Sequence, residues 1–175
     1  MSEMTHIPGC CRKQWKAIVT ALVLVGLLLR VFGAWASRLI TDPDAGVVAL
    51  MARHIASGSE WPVFFYGQSY MGSLEPIVSG LVCMIIGISG FGVGLGTALV
   101  ATACLPVIYL WGKESSGAVA GLIALTICLI GPYDYYMFQF NPRGGYMVTV
   151  LLGLLIMMLS SRTACLLYTS DAADE

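Results

Sequence analysis

Six ionisable side chains stand out by type and position: Asp42, Asp44, Arg53, Glu75, Asp134 and Arg143. They occupy the two polar intervals of an otherwise apolar chain. One carboxylate can take the proton of an attacking hydroxyl, others can offer hard oxygen ligands to a divalent cation, and an arginine can clamp a phosphate bidentately. Together these parts suit a lipid-phosphate substrate. The plain alternatives stand beside that reading: Asp42 as a helix cap, and Asp44 as an ordinary solvated loop carboxylate. The two histidines, His6 and His54, fall on opposite sides of the first apolar run, so they assemble no zinc site, and His54 reads as a solvated headgroup-zone residue.

The elements that must carry these residues belong to a membrane protein. Of 175 residues, 58% are hydrophobic and 11% charged, against roughly 25% charged in a soluble domain. With a net charge of −1 the chain has no basic field to hold nucleic acid, so no nucleic-acid partner is expected. Residues 1–16 are polar and carry Arg12, Lys13 and Lys16 ahead of the apolar run Ala17 to Ala36, which puts the N-terminus in the cytoplasm by the positive-inside rule. The competing reading is a cleaved signal peptide ending at Ala34-Trp35-Ala36. Arg30, near the outer end of the run, either snorkels outward or meets a lipid-linked phosphate.

In the first outer loop, Asp42-Pro43 reads as an N-cap followed by proline at the first helical position, and Gly58 as a stop, so residues 43–57 are expected to be helical. Val47, Leu50, Met51 and Ile55 give this helix one apolar stripe, suited to the membrane interface. Trp61, Phe64, Phe65, Tyr66 and Tyr70 then form an aromatic concentration of the headgroup zone, and Tyr133, Tyr135, Tyr136 and Phe138 a second.

Residues 76–112 are too long for one crossing and awkward for two. In the preferred count, 77–88 form a short interfacial or re-entrant helix, Phe91 to Trp111 crosses, Gly117 to Gly131 returns, and Tyr146 to Ser160 crosses last. Lys113 and Arg162 are then inside, with Asp134 and Arg143 outside. In the second count 77–88 also cross, which moves Lys113 out and Asp134 with Arg143 in. The expected fold is thus all-α, a polytopic transmembrane helical bundle with interfacial helices in its first outer loop. The run Gly92-Val93-Gly94-Leu95-Gly96 has no preceding strand and suits close helix packing rather than phosphate binding.

Six cysteines are present; Cys83, Cys104 and Cys128 lie in apolar runs as buried thiols, and the juxtamembrane Cys10-Cys11 reads as an ordinary pair, with acylation as the alternative. Residues 165–175 break the apolar pattern with an acidic tail. That string resembles the translation of a common transposase sequencing adapter, which makes 17–164 the expected natural part of the membrane module and a longer gene the expected source.

The order Thr41-Asp42-Pro43-Asp44-Ala45-Gly46, a helix ending Ala52-Arg53-His54-Ile55-Ala56-Ser57-Gly58, then Phe64-Phe65-Tyr66-Gly67-Gln68-Ser69-Tyr70-Met71-Gly72-Ser73-Leu74-Glu75-Pro76, resembles bacterial membrane glycosyltransferases of the GT-C class, relatives of protein O-mannosyltransferase and aminoarabinose transferase. The resemblance covers about residues 16–160. It implies an inner-membrane enzyme that moves a sugar from a polyprenyl-phosphate donor to a lipid, glycan or protein acceptor on the outer side. It further implies Asp44, with Asp42 as near second, in the catalytic role, although Ala45 stands where members often have Glu. Glu75, Asp134, Arg143 and Arg53 become the implied substrate contacts. Some members use Mg or Mn and others no metal; Asp44, Glu75 and Asp134 are the candidate ligands. The alternative class is a non-catalytic transporter or flippase subunit.

Overall fold

A computed structural model describes residues 9–39 and 42–171. The chain runs α1 (Gly9–Ala36), α2 (Pro43–Ala56), β1 (Phe64–Phe65), β2 (Gln68–Gly72), α3 (Leu74–Ile86), α4 (Gly90–Ser116), α5 (Ala118–Ile130), α6 (Tyr133–Phe138) and α7 (Tyr146–Asp171). His6, Thr41 and residues 172–175 lie outside the described residues, as do the side chains of Cys10, Cys11, Arg12, Lys13 and of 165–171. The backbone of α7 continues helically past Ala164, where the acidic tail was expected to begin a different segment.

Three helices are long and apolar enough to cross a membrane: Gln14–Ala36, Gly90–Ser116 and Tyr146–Ala164. The expected return span at Gly117 to Gly131 is shorter than a crossing helix. Its 13 residues rise about 20 Å, against a hydrocarbon core of about 30 Å. Glycines set both of its ends, Gly117 at φ +92° and Gly131 at φ +44°, a left-handed backbone that ends a helix without the Cβ penalty.

α2 forms where the cap chemistry places it. Asp42 Oδ1 accepts from the Ala45 amide at 2.9 Å, Pro43 occupies the first turn, and Ser57 closes the helix ahead of Gly58 at φ +71°. Its buried face is Val48, Met51, Ala52 and Ile55, while Leu50 is 46% exposed. This corrects the expected Val47-Leu50-Met51-Ile55 stripe. The reason is α3, which packs on α2 so closely that a Cβ on Gly80 would stand 2.7 Å from Ile55 Cβ. The interfacial helix is therefore seated on protein through the face rotated one residue from the expected one.

The aromatic stretch is not loop or helix but an antiparallel hairpin, which makes the fold mostly helical rather than all-α. Phe65 pairs with Gln68 across a two-residue connection in which Gly67 takes φ +76°. Phe65 turns inward onto Val48 and Met51, while Phe64 and Tyr70 stay exposed. Ser73 then donates to the Pro62 and Val63 carbonyls and fixes the hairpin to the start of α3.

α4 is the central element, packed against α1, α3, α5 and α7. Its glycines do serve close approach: Gly96 sits directly against the Ser79 backbone, and Ser79 Oγ donates to the Val93 carbonyl at 3.0 Å. Two ion pairs fix the ends of the molecule. Arg143 Nε meets Asp42 Oδ2 at 3.1 Å, and Arg162 meets Glu114 bidentately at 2.6 and 2.7 Å. The first loop and the segment before α7 therefore share one end, and the last turn of α4 shares the other with the far part of α7.

Arg30 neither snorkels nor reaches the surface. It is fully buried, donates from Nη1 to the Gly26 carbonyl at 2.9 Å, and leaves Nε and Nη2 without partners among the described residues. Cys83, Cys104 and Cys128 are free thiols, the first two buried.

Candidate functional site

Asp44 stands in the first turn of α2, two residues after the cap, and is exposed. Among the described residues it has no hydrogen-bond or ion-pair partner. It lines a groove of about 320 Å³ together with Phe65, Gln68, Tyr70 and Met71 of the hairpin, Arg143, Gly144 and Gly145, and Tyr146 and Thr149 at the start of α7. A second hollow of about 270 Å³ shares Tyr70, Met71, Gly144, Gly145 and Thr149 with it and runs on between Leu74 and Leu152. Glu75 also lines this second hollow, with Leu74, Val148 and Leu152.

The sequence-expected residues divide. Asp44 and Arg143 face one groove. Asp42 stands beside them, but one of its oxygens caps α2 and the other holds Arg143, so it positions the arginine and is not a free base. The Arg143 guanidinium is fixed a second way, its Cζ lying 4.8 Å from the Phe138 ring centroid. Arg53 is exposed in the last turn of α2, nine residues and about 14 Å along the axis from Asp44, and lines no part of the groove. Asp134 is exposed on α6 and also lies outside it.

Glu75 departs furthest from expectation. It is 1% exposed, its Oε1 accepts from Thr97 Oγ1 at 2.7 Å, and its Oε2 accepts from the Gly145 amide. Burial pushes its carboxyl above the usual carboxylate range, opposed by the Thr97 hydroxyl and the Gly145 and Arg143 amides. Asp44, Glu75 and Asp134 therefore do not gather, and no group of three or more His, Cys, Asp or Glu is placed to hold a metal ion among the described residues.

His54 is likewise not simply solvated. With the Tyr66 hydroxyl proton given to Glu60 Oε2 at 2.6 Å, His54 Nδ1 donates to Tyr66 Oη at 2.8 Å. The Glu60 carboxylate pushes the Tyr66 hydroxyl up to about 12. This chain ties the C-terminal turn of α2 to the hairpin tip. Sequence reasoning had Tyr66 only as an aromatic. Gln68, Tyr70, Met71, Tyr146 and Thr149 carry no motif of their own, and the hairpin signal of Tyr66-Gly67 between aromatic residues is what could have gathered the first three.

Compared with known proteins, the chain matches no family model, no curated protein and no solved structure.

Proposed function

We propose that the chain is part of an integral membrane glycosyltransferase of GT-C-like type. It moves a sugar from a polyprenyl-phosphate donor to an acceptor hydroxyl on the extracytoplasmic side of a bacterial inner membrane, with the N-terminus in the cytoplasm. The observation that carries this reading is that Asp44, without a partner among the described residues, and Arg143 line one groove. A base opposite a phosphate-binding cation is what an inverting displacement requires. The acceptor oxygen attacks the anomeric carbon, its proton passes to Asp44, and the bond from that carbon to the phosphate oxygen breaks, leaving the lipid phosphate at Arg143. Three long apolar helices support the membrane setting.

The test is Asp44→Asn in membranes of cells expressing the intact gene, supplied with a radiolabelled polyprenyl-phosphate sugar. Asparagine keeps shape and polarity and cannot take a proton at neutral pH. Transfer should fall by about 10²- to 10⁴-fold, the usual contribution of a general base, at an unchanged level of inserted protein. Full activity of Asp44→Asn would overturn the assignment. One observation favours a non-catalytic transport component instead, the buried Arg30, whose Nε and Nη2 have no partner among the described residues; on that reading Asp44→Asn is silent.

A further inference from the structure

Arg143 can serve the groove only if the backbone that carries it is held, and the segment carrying it has little regular structure. It runs from Asn141 to Gly145, between α6 and α7. Gly144 at φ +75° and Gly145 at φ +109° are both left-handed. A Cβ at Gly144 would also stand 2.7 Å from Met71 Cε. Successive amides in such a conformation converge on an acceptor. Here the acceptor is supplied by the protein itself: the Glu75 carboxylate takes the Gly145 amide, two residues after Arg143. Its other oxygen is fixed by Thr97 in α4. The segment is thereby tied to α3 and α4 at once, in an interior where hydrogen bonds gain strength from the low dielectric. Beyond that clamp, the arginine side chain pairs with Asp42 and lies over the Phe138 ring.

We propose that Glu75 is a positioning residue: it binds neither ligand nor metal, and clamps the Arg143–Gly145 backbone so that the Arg143 guanidinium faces the Asp44 groove as its anion-holding group. The second half of this inference rests on the phosphate-binding reading given above; the backbone clamp does not.

The experiment uses the full chain in lipid nanodiscs, with Glu75→Gln, Thr97→Val, Arg143→Gln and the Glu75→Gln/Arg143→Gln double variant. Hydrogen exchange of segment 141–148 reads the clamp, and titration with farnesyl phosphate reads the groove. Exchange of the segment should speed up at least tenfold in Glu75→Gln and by a smaller factor in Thr97→Val. Farnesyl phosphate affinity should fall about tenfold in Glu75→Gln and in Arg143→Gln, and no further in the double variant, because the two changes remove one function. A residue that merely supported the fold would not show this coupling to Arg143. Unchanged exchange in Glu75→Gln, or losses of affinity that multiply in the double variant, would overturn the proposal and return Glu75 to a direct ligand role. Should Glu75→Gln fail to insert, Thr97→Val decides through the same two readings. If the wild-type chain ignores farnesyl phosphate, the phosphate reading fails while the exchange measurement still decides the clamp.

Discussion

Arg30 is the residue whose energetics are least like those of its neighbours. A guanidinium taken fully out of water, with one hydrogen bond to the Gly26 carbonyl and two nitrogens unpartnered among the described residues, gives up hydration that nothing nearby returns. Replacing buried charge with an apolar side chain of similar volume is often neutral or stabilising, by about 1–4 kcal/mol. Arg30→Met is therefore expected to raise the thermal unfolding midpoint of the chain in nanodiscs, measured by scanning fluorescence of its tryptophans. A lowered midpoint would mean that Arg30 has an acceptor in the folded protein. The residue scale is also where sequence reading has its sharpest contrast. Asp42 was legible as a cap because a cap is local chemistry, closed within three residues. The burial of Glu75 was not legible because its partners lie 22 and 70 residues away, and no spacing rule reaches that far. Arg30 was misread for a related reason: hydropathy ranks a position by its own type, whereas burial is decided by the helices that close around it.

Among the elements, α2 shows how a correct boundary can accompany a wrong face. Val47 and Val48 are adjacent and both apolar, so two stripes one residue apart fit the same sequence, and only the partner chooses between them. That partner is α3, and the choice is enforced at Gly80, where added bulk meets Ile55 Cβ and the Ala52 carbonyl at 3.2 Å. Neither atom is the end of a flexible side chain. Gly80→Val is thus expected to push α2 from α3 and cost about 1–3 kcal/mol, in the range of overpacked interiors. Chemical denaturation of the variant in detergent checks it, and an unchanged midpoint would mean that the two helices separate freely. The hairpin was missed because its aromatics suit a headgroup belt equally well, and the left-handed Gly67 that turns it is visible only once the flanking segments pair.

For the molecule as a whole, the two ion pairs at opposite ends set the arrangement of its helices. Asp42 with Arg143 marks one end and Glu114 with Arg162 the other, and α5, 13 residues long, packs against α4 between them. Cysteines placed at Ser59, Asp134 and Ser116 in a background without native cysteines test the arrangement. An impermeant thiol reagent added to intact cells should label Ser59→Cys and Asp134→Cys alike, and Ser116→Cys only after permeabilisation. Labelling of Ser116→Cys in intact cells, with Asp134→Cys labelled only after permeabilisation, would favour the second count instead. The broad class was legible in composition, because 11% charge leaves few other folds open; the groove was not, since its walls come from α2, the hairpin and the start of α7. The contact between Asp42 and Arg143 joins residues 101 positions apart, and that separation has a consequence for biogenesis. A ribosome feeding the chain into the membrane delivers Asp44 early and Arg143 about a hundred residues later, a lag of several seconds at about 5–20 residues per second. Throughout that interval the first loop lacks Arg143, Gly144, Gly145, Tyr146 and Thr149, so the groove has only half of its walls until α7 starts to emerge.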